Sequence, residues 1–284
     1  MKISQEKLCY HMGTARFDDW EAKKIIKVLK EIGYGGVEWT SVHFNPKKNT
    51  DYLISMIDMT HEVGLHVPAI SLYEDFAGLK GETLIETIEY VKEGIEKASK
   101  VGVPIVNVYS GWPTSDIKEG EAWKKIIITF EELVSSAEKS DITLCIEAIF
   151  GNVTKDYYTV RELFRKIKSP NLKITFDPSH YKLYCSDIPW IIKEFGDLIK
   201  HVHLKDVIGK SGDMFETFMF PLLGEGSIEW KEFFLALQSI GYDGYYTTEF
   251  ESFHYFDNVL DGDPVKAAKL SFTLMKNIIN KAIK

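Results

Sequence analysis

Short apolar runs alternate with longer amphipathic stretches along this whole chain, and the pair recurs eight times. A run too short for a helix, followed by apolar residues every three or four positions, reads as a βα unit. Serial βα units build a parallel sheet with helices packed outside it. Strands are predicted at about residues 8–12, 37–39, 66–72, 105–109, 143–149, 172–177, 199–204 and 245–250. Helices are predicted at about 19–32, 50–63, 82–100, 121–139, 159–167, 188–195, 228–240 and 264–282. Asp18 or Asp19 is the expected cap of the first helix, and Pro264 suits the first turn of the last. Ile32-Gly33-Tyr34-Gly35-Gly36 and Ile240-Gly241-Tyr242-Asp243-Gly244 repeat one device, a helix stopped by glycine and a strand launched after it. Eight units predict a closed (β/α)8 TIM barrel, a single domain over residues 1–284. The 284 residues slightly exceed the roughly 250 of one such barrel, and no Pro/Ser/Gly-rich linker divides them.

Composition narrows the class of partner. The net charge of −8 disfavours a nucleic-acid backbone as ligand, since such proteins usually carry a basic surface. There is no 18-residue apolar stretch to span a membrane, and Met1-Lys2-Ile3-Ser4-Gln5-Glu6-Lys7 lacks a signal peptide's apolar core. Cys9, Cys145 and Cys185 show no regular spacing and read as buried reduced thiols. The expectation is a cytoplasmic protein with a small-molecule substrate, no nucleic acid and no membrane; an assembly of identical subunits is compatible with the sequence.

Four segments in the second half end an apolar run on an acidic or imidazole side chain. They are Leu144-Cys145-Ile146-Glu147, Lys173-Ile174-Thr175-Phe176-Asp177, His201-Val202-His203-Leu204 and Tyr245-Tyr246-Thr247-Thr248-Glu249. In a closed barrel the last inward residue of each strand meets the mouth, where active sites are built. Four adjacent strands then direct Glu147, Asp177, His203 and Glu249 at one point. That oxygen and nitrogen set suits one hard or borderline divalent ion such as Mn, Co or Mg. Any one of these residues alone reads equally well as a solvated strand end.

Phe176-Asp177-Pro178-Ser179-His180, His201-Val202-His203-Leu204-Lys205-Asp206, Leu223-Gly224-Glu225-Gly226-Ser227-Ile228 and the Thr248-Glu249 strand resemble the xylose-isomerase-like sugar phosphate isomerase/epimerase superfamily. That superfamily includes ketose 3-epimerases, inosose dehydratases and endonuclease IV, and the resemblance covers essentially the whole chain. It implies that Glu147, Asp177, His203 and Glu249 are metal ligands and that His180 binds substrate beside the metal. In the 3-epimerase branch the residues matching Glu147 and Glu249 also form the acid/base pair. Chemistry makes the double role reasonable. Proton removal beside a carbonyl needs a base near the carbon and an electrophile at the oxygen.

The chain also departs from that pattern. Tyr109 stands where endonuclease IV carries a histidine, and Phe218 and Phe220 replace its Asp-x-His pair before Gly224. Loss of those ligands points to one metal and away from phosphodiester cleavage. Gly209-Lys210 stands where 3-epimerases commonly carry an arginine, and Lys205-Asp206 is closer to the inosose-dehydratase-like branch. Among other residues, Lys205 is expected to hold a substrate oxygen or phosphate, with an ion pair to Asp177 or Glu147 as the bland reading. Glu38 is expected to contact sugar hydroxyls or to pair with a mouth residue. Trp39, Tyr73, Trp112 and Phe150 follow strands, and Trp112 is expected among the aromatics that stack on a sugar. His201 reads as a hydrogen-bonded barrel histidine, Glu251 as a supporting or solvated acid. Gly224-Glu225-Gly226 is a weak match to a phosphate loop.

The predicted activity is isomerisation or epimerisation of a sugar, sugar phosphate or keto-polyol through an enediolate. Rivals are an inosose-dehydratase-like lyase, a metal-free glycosidase using Glu147 and Glu249 as paired carboxylates, and a non-catalytic sugar-binding barrel.

Overall fold

The computed structural model describes residues 3–13 and 17–283. Eight parallel strands close into a barrel: β1 (Leu8–His11), β2 (Gly36–Thr40), β3 (Ile70–Ser71), β4 (Ile105–Val108), β5 (Thr143–Glu147), β6 (Leu172–Phe176), β7 (Ile199–Leu204) and β10 (Tyr246–Thr248). The remaining two, β8 (Ile208–Gly209) and β9 (Phe218–Met219), form an antiparallel hairpin outside it. The order around the barrel is β1-β10-β7-β6-β5-β4-β3-β2, so chain neighbours are spatial neighbours and β10 closes on β1.

The outer layer is α1 (Ala22–Ile32), α2 (Thr50–Glu62), α3 (Gly81–Lys100), α4 (Glu119–Ser140), α5 (Tyr157–Lys166), α7 (Ile188–Phe195), α8 (Trp230–Ser239) and α10 (Pro264–Ile283). Their apolar stripes pack on the outward faces of the strands. Ile25, Ile26 and Leu29 of α1 and Ile126, Phe130 and Leu133 of α4 are all fully buried. Two short helices lie near the barrel mouth, α6 (Pro178–Leu183) and α9 (Phe253–Asn258).

Most predicted elements stand within a few residues of their expected bounds. The cap of α1 differs. The helix starts at Ala22 behind Glu21, whose side chain makes no capping bond, because Phe17 to Trp20 close a turn of their own. The sequence reading missed α6, α9 and the hairpin. Each is only one or two turns or a two-residue strand, too short for a periodicity to register. Cys9 and Cys145 are buried as expected, whereas Cys185 is exposed.

One irregularity bears on the site. Ile174 pairs with Ile199, but the next residue, Thr175, pairs with His201, leaving Lys200 as an extra, exposed residue in β7. Beyond this bulge, His201 and His203 are both fully buried. Bulges commonly re-aim side chains beside functional sites.

Candidate metal centre

Glu147 ends β5, Asp177 follows β6, His203 lies in β7 and Glu249 follows β10, and these are four consecutive strands of the barrel. One ligand atom from each can be chosen so that all four lie within 4.8 Å of one another. That spread matches a coordination shell with ligands at about 2.0–2.2 Å. The local chain explains each placement. Asp177 Oδ1 accepts from the backbone N–H of Ser179 at 2.8 Å, capping α6, whose first residue is Pro178. Asp177 Oδ2 is buried and has no well-aligned donor, although the Lys205 ammonium is 3.0 Å away. His203 Nδ1 faces Glu147 Oε1 at 3.2 Å and Glu249 Oε1 at 3.7 Å. Hard carboxylate oxygens and one imidazole nitrogen turned toward each other fit a divalent cation.

Charge is concentrated here. Lys205 Nζ sits among carboxylates: Glu249 Oε2 at 2.7 Å, Asp177 Oδ2 at 3.0 Å and Glu251 Oε1 at 3.3 Å. Burial opposes its charge, yet Asp177, Glu249 and Glu251 hold its pKa well above the usual lysine value. Burial likewise disfavours a charged His203, but Glu38, Glu147 and Glu249 raise it well above the usual imidazole range. Burial pushes Glu251 up to about 7 despite Lys205, and raises Asp177 as well. His180 is pushed down to about 3, first by burial and then by Lys205, so its ring is neutral; its Nε2 lies 3.3 Å from Lys205 Nζ.

Two aromatic walls flank the cluster. On one side Tyr73 donates its hydroxyl to Glu147 Oε2 at 2.5 Å and its ring stands 5.2 Å from Tyr109, which in turn meets Trp112 at 5.1 Å. Trp112, 40% exposed, is the outer end of that row. A second row adjoins it, since Trp112 stands against Gly151: Phe150 packs on Phe218 at 4.8 Å and on His180 at 5.7 Å, and Lys205 Nζ lies 4.9 Å from the centre of Phe220. The hairpin thus supplies Phe218 to this wall, a role no strand-end pattern could announce.

Several expected contacts lie elsewhere. Trp39 alternates with inward-facing Glu38 on β2, so its ring points outward, fully buried against His43 at 5.3 Å. Glu38 is fully buried among barrel side chains: His201 Nε2 is 2.6 Å, Ser71 Oγ 2.5 Å and Asn107 Nδ2 2.6 Å from its oxygens. His11, given no role by the sequence, brings Nδ1 to 3.2 Å from Glu249 Oε1. Inward polar residues on short apolar strands (Ser71, Asn107, Thr175, Thr247) were the available signal for this interior network.

The glycine-rich segment is a structural clamp. Asp206 accepts from the backbone N–H groups of Val207, Gly224 and Ile228 and from the Trp230 indole at 2.9–3.2 Å. A Cβ on Gly226 would stand 2.0 Å from Asp206 Oδ1, so that position must be glycine for the carboxylate to fit.

Comparison with known proteins agrees with this architecture. D-psicose 3-epimerase of Enterocloster bolteae is 23% identical over 241 residues, 80% of this chain and 76% of that protein. Inosose dehydratase of Lacticaseibacillus casei is 24% identical over 165 residues, 54% of this chain, and the match spans about half (52%) of that relative. A crystal structure of IolI protein with a binding zinc atom superposes with a TM-score of 0.79, covering 97% of this chain and 99% of its own, at 17% identity, a likeness of fold. Among the described residues, no helix is long and apolar enough to cross a membrane. The family model described as xylose isomerase-like TIM barrel matches residues 26–278, and the chain belongs to that family.

Proposed function

We propose that this chain is a divalent-metal-dependent carbohydrate isomerase or epimerase that moves a proton beside a carbonyl through an enediolate. The observation that carries the reading is the convergence of Glu147, Asp177, His203 and Glu249 within 4.8 Å at the mouth. The 3-epimerase relative supports the reaction class, and the relative in fold that holds a zinc atom supports metal binding in such a barrel. A divalent ion held by these four residues would polarise the substrate carbonyl and stabilise the negative charge that develops on its oxygen.

The chain's own groups supply the rest. Glu147 and Glu249 reach the site from β5 and from the end of β10, three strands apart around the barrel, so they approach a bound sugar from different sides. One carboxylate takes the proton and the other returns one to the opposite face, which inverts the centre. Tyr73 holds Glu147 by its second oxygen, and Lys205 holds Glu249, so each carboxylate has one oxygen fixed. His180, neutral and against Phe150, offers a hydrogen bond to a sugar hydroxyl. Trp112 and the phenylalanine wall cover apolar ring faces. The substrate is a small carbohydrate, a sugar, sugar phosphate or keto-polyol, and Mn, Co and Mg all suit the ligands.

A lyase of the inosose dehydratase kind is the second reading. It is favoured by the Lys205 ammonium beside the acid/base pair, where it can protonate a departing hydroxyl, and by the inosose dehydratase relative.

Solvent deuterium incorporation by the Mn-loaded protein, across a panel of ketoses, inososes and their phosphates, tests both. Isomerisation or epimerisation incorporates deuterium without loss of water; dehydration releases water. Glu147→Gln and Glu249→Gln should each abolish exchange, while His180→Ala should mainly raise KM. Full exchange by both glutamine variants removes the proposed pair.

A further inference from the structure

Glu38 has a position the proposed reaction does not use. It lies in the middle of β2, fully buried, and four donors within hydrogen-bond distance surround its two oxygens. Ser71 Oγ at 2.5 Å, Asn107 Nδ2 at 2.6 Å and His201 Nε2 at 2.6 Å pin the carboxylate, and His11 Nε2 stands 3.7 Å away. These partners are pinned in turn: Asn107 Oδ1 accepts from Thr175 at 2.6 Å, and the Thr247 hydroxyl lies 3.1 Å from His201 Nε2. The fourth donor is His203. Its Nε2 lies 3.2 Å from both Glu38 oxygens, while Nδ1, across the ring, points at Glu147 and Glu249.

We propose that Glu38 is a positioning residue for the metal centre. Its buried carboxylate accepts the Nε2–H of His203 and thereby presents Nδ1 to the ion. The proposal rests on the metal-dependent reading above. The physical case is that an imidazole ligates through a nitrogen lone pair, so its proton must reside on the other nitrogen. Only a fixed acceptor at Nε2 selects that tautomer and locks the ring plane. A carboxylate gripped by Ser71, Asn107 and His201 cannot turn away from His203, and its negative charge lies on the side of the ring away from the ligand set. A sugar hydroxyl cannot reach Glu38 without displacing these bonds, so the residue acts through His203 and not on substrate.

Glu38→Gln tests this. The amide keeps the shape but offers one acceptor oxygen to four donors and sets an NH2 among them. Mn2+ or Zn2+ affinity, measured by calorimetry on chelator-treated protein, should fall roughly 10- to 100-fold, the usual effect of losing a histidine's outer partner. Glu38→Asp retains the charge and withdraws it from Nε2, and it should weaken binding about 10-fold; wild-type affinity there would mean that charge alone matters and would overturn positioning. Ring-nitrogen NMR of 15N-histidine-labelled, metal-free protein, recorded at a pH high enough for His203 to be neutral, is independent of the ion. His203 Nε2 should be protonated in the wild type and exchange-broadened or shifted in Glu38→Gln. If that signature appears but the wild type binds no metal, the metal reading fails and the Glu38–His203 coupling stands. If the variant is folded and both its affinity, within threefold, and its His203 shifts match the wild type, the proposal is refuted.

Discussion

Lys205→Met offers a sharp quantitative test of how this centre is held together. The ammonium is nearly buried and faces three carboxylates at 2.7, 3.0 and 3.3 Å, two of them proposed ligands. Removing one partner of a buried ion pair typically costs about 3–5 kcal/mol, because the remaining charge is desolvated and uncompensated. For 284 residues, an unfolding entropy of about 2.1 cal/mol/K per residue gives about 0.6 kcal/mol/K. A loss of about 4 kcal/mol therefore lowers Tm by about 7 °C. The assay is thermal unfolding in chelator, then in excess Mn2+. The wild-type lysine has its pKa raised above the unfolded value, so its contribution is complete below pH 10.5 and lost only as pH rises further. In the variant Asp177 and Glu251, which burial already raises, lose the cation that opposed that rise. Their penalty is therefore fullest at alkaline pH and fades as the groups protonate. The deficit should be larger at pH 8 than at pH 5, and Mn2+ should reduce it by restoring positive charge. A deficit under about 1 kcal/mol in chelator, or one that Mn2+ leaves unchanged, refutes the argument.

Asp206→Asn should cost about 2–6 kcal/mol in urea unfolding, since an amide can satisfy only two of the four donors now bound and leaves about two buried N–H groups unpaired at about 1–3 kcal/mol each; a cost below 1 kcal/mol would restore the phosphate-loop reading of the glycines. His180 is held neutral, with a folded pKa of about 3 against about 6.5 unfolded, so the native state binds fewer protons between those values. Stability should be full above pH 6.5 and fall toward pH 3, by up to about 1.4 kcal/mol per pH unit, and His180→Gln should flatten that acid limb. Parallel limbs in the two proteins would show that His180 charges freely in the folded state.

Periodicity alone carried much of the architecture. Alternating apolar runs and amphipathic stretches specify βα units because strands buried on both faces and helices buried on one must differ in pattern. The ends of β7 and α7 coincide with the expected ones for that reason. Glu147, Asp177, His203 and Glu249 were visible because each interrupts or ends an apolar run at a fixed place on its strand. What local pattern could not decide was anything set by partners distant in the chain. Glu38 and Trp39 are adjacent, yet strand alternation and barrel closure send one inward to His201 and His203, more than 160 residues away, and the other outward to His43. Glu38, expected either as a sugar contact or as the partner of a mouth residue, is enclosed by Ser71, Asn107 and His201 and pairs with His203. The hairpin of β8 and β9 became part of an aromatic wall only because Phe150, from the loop after β5, meets Phe218 and His180, from α6, meets the adjoining Phe220. Sequence determines which residues repeat; only closure of the barrel determines which of them touch, because hydrogen bonds and ion pairs depend on distances that the order of residues does not contain.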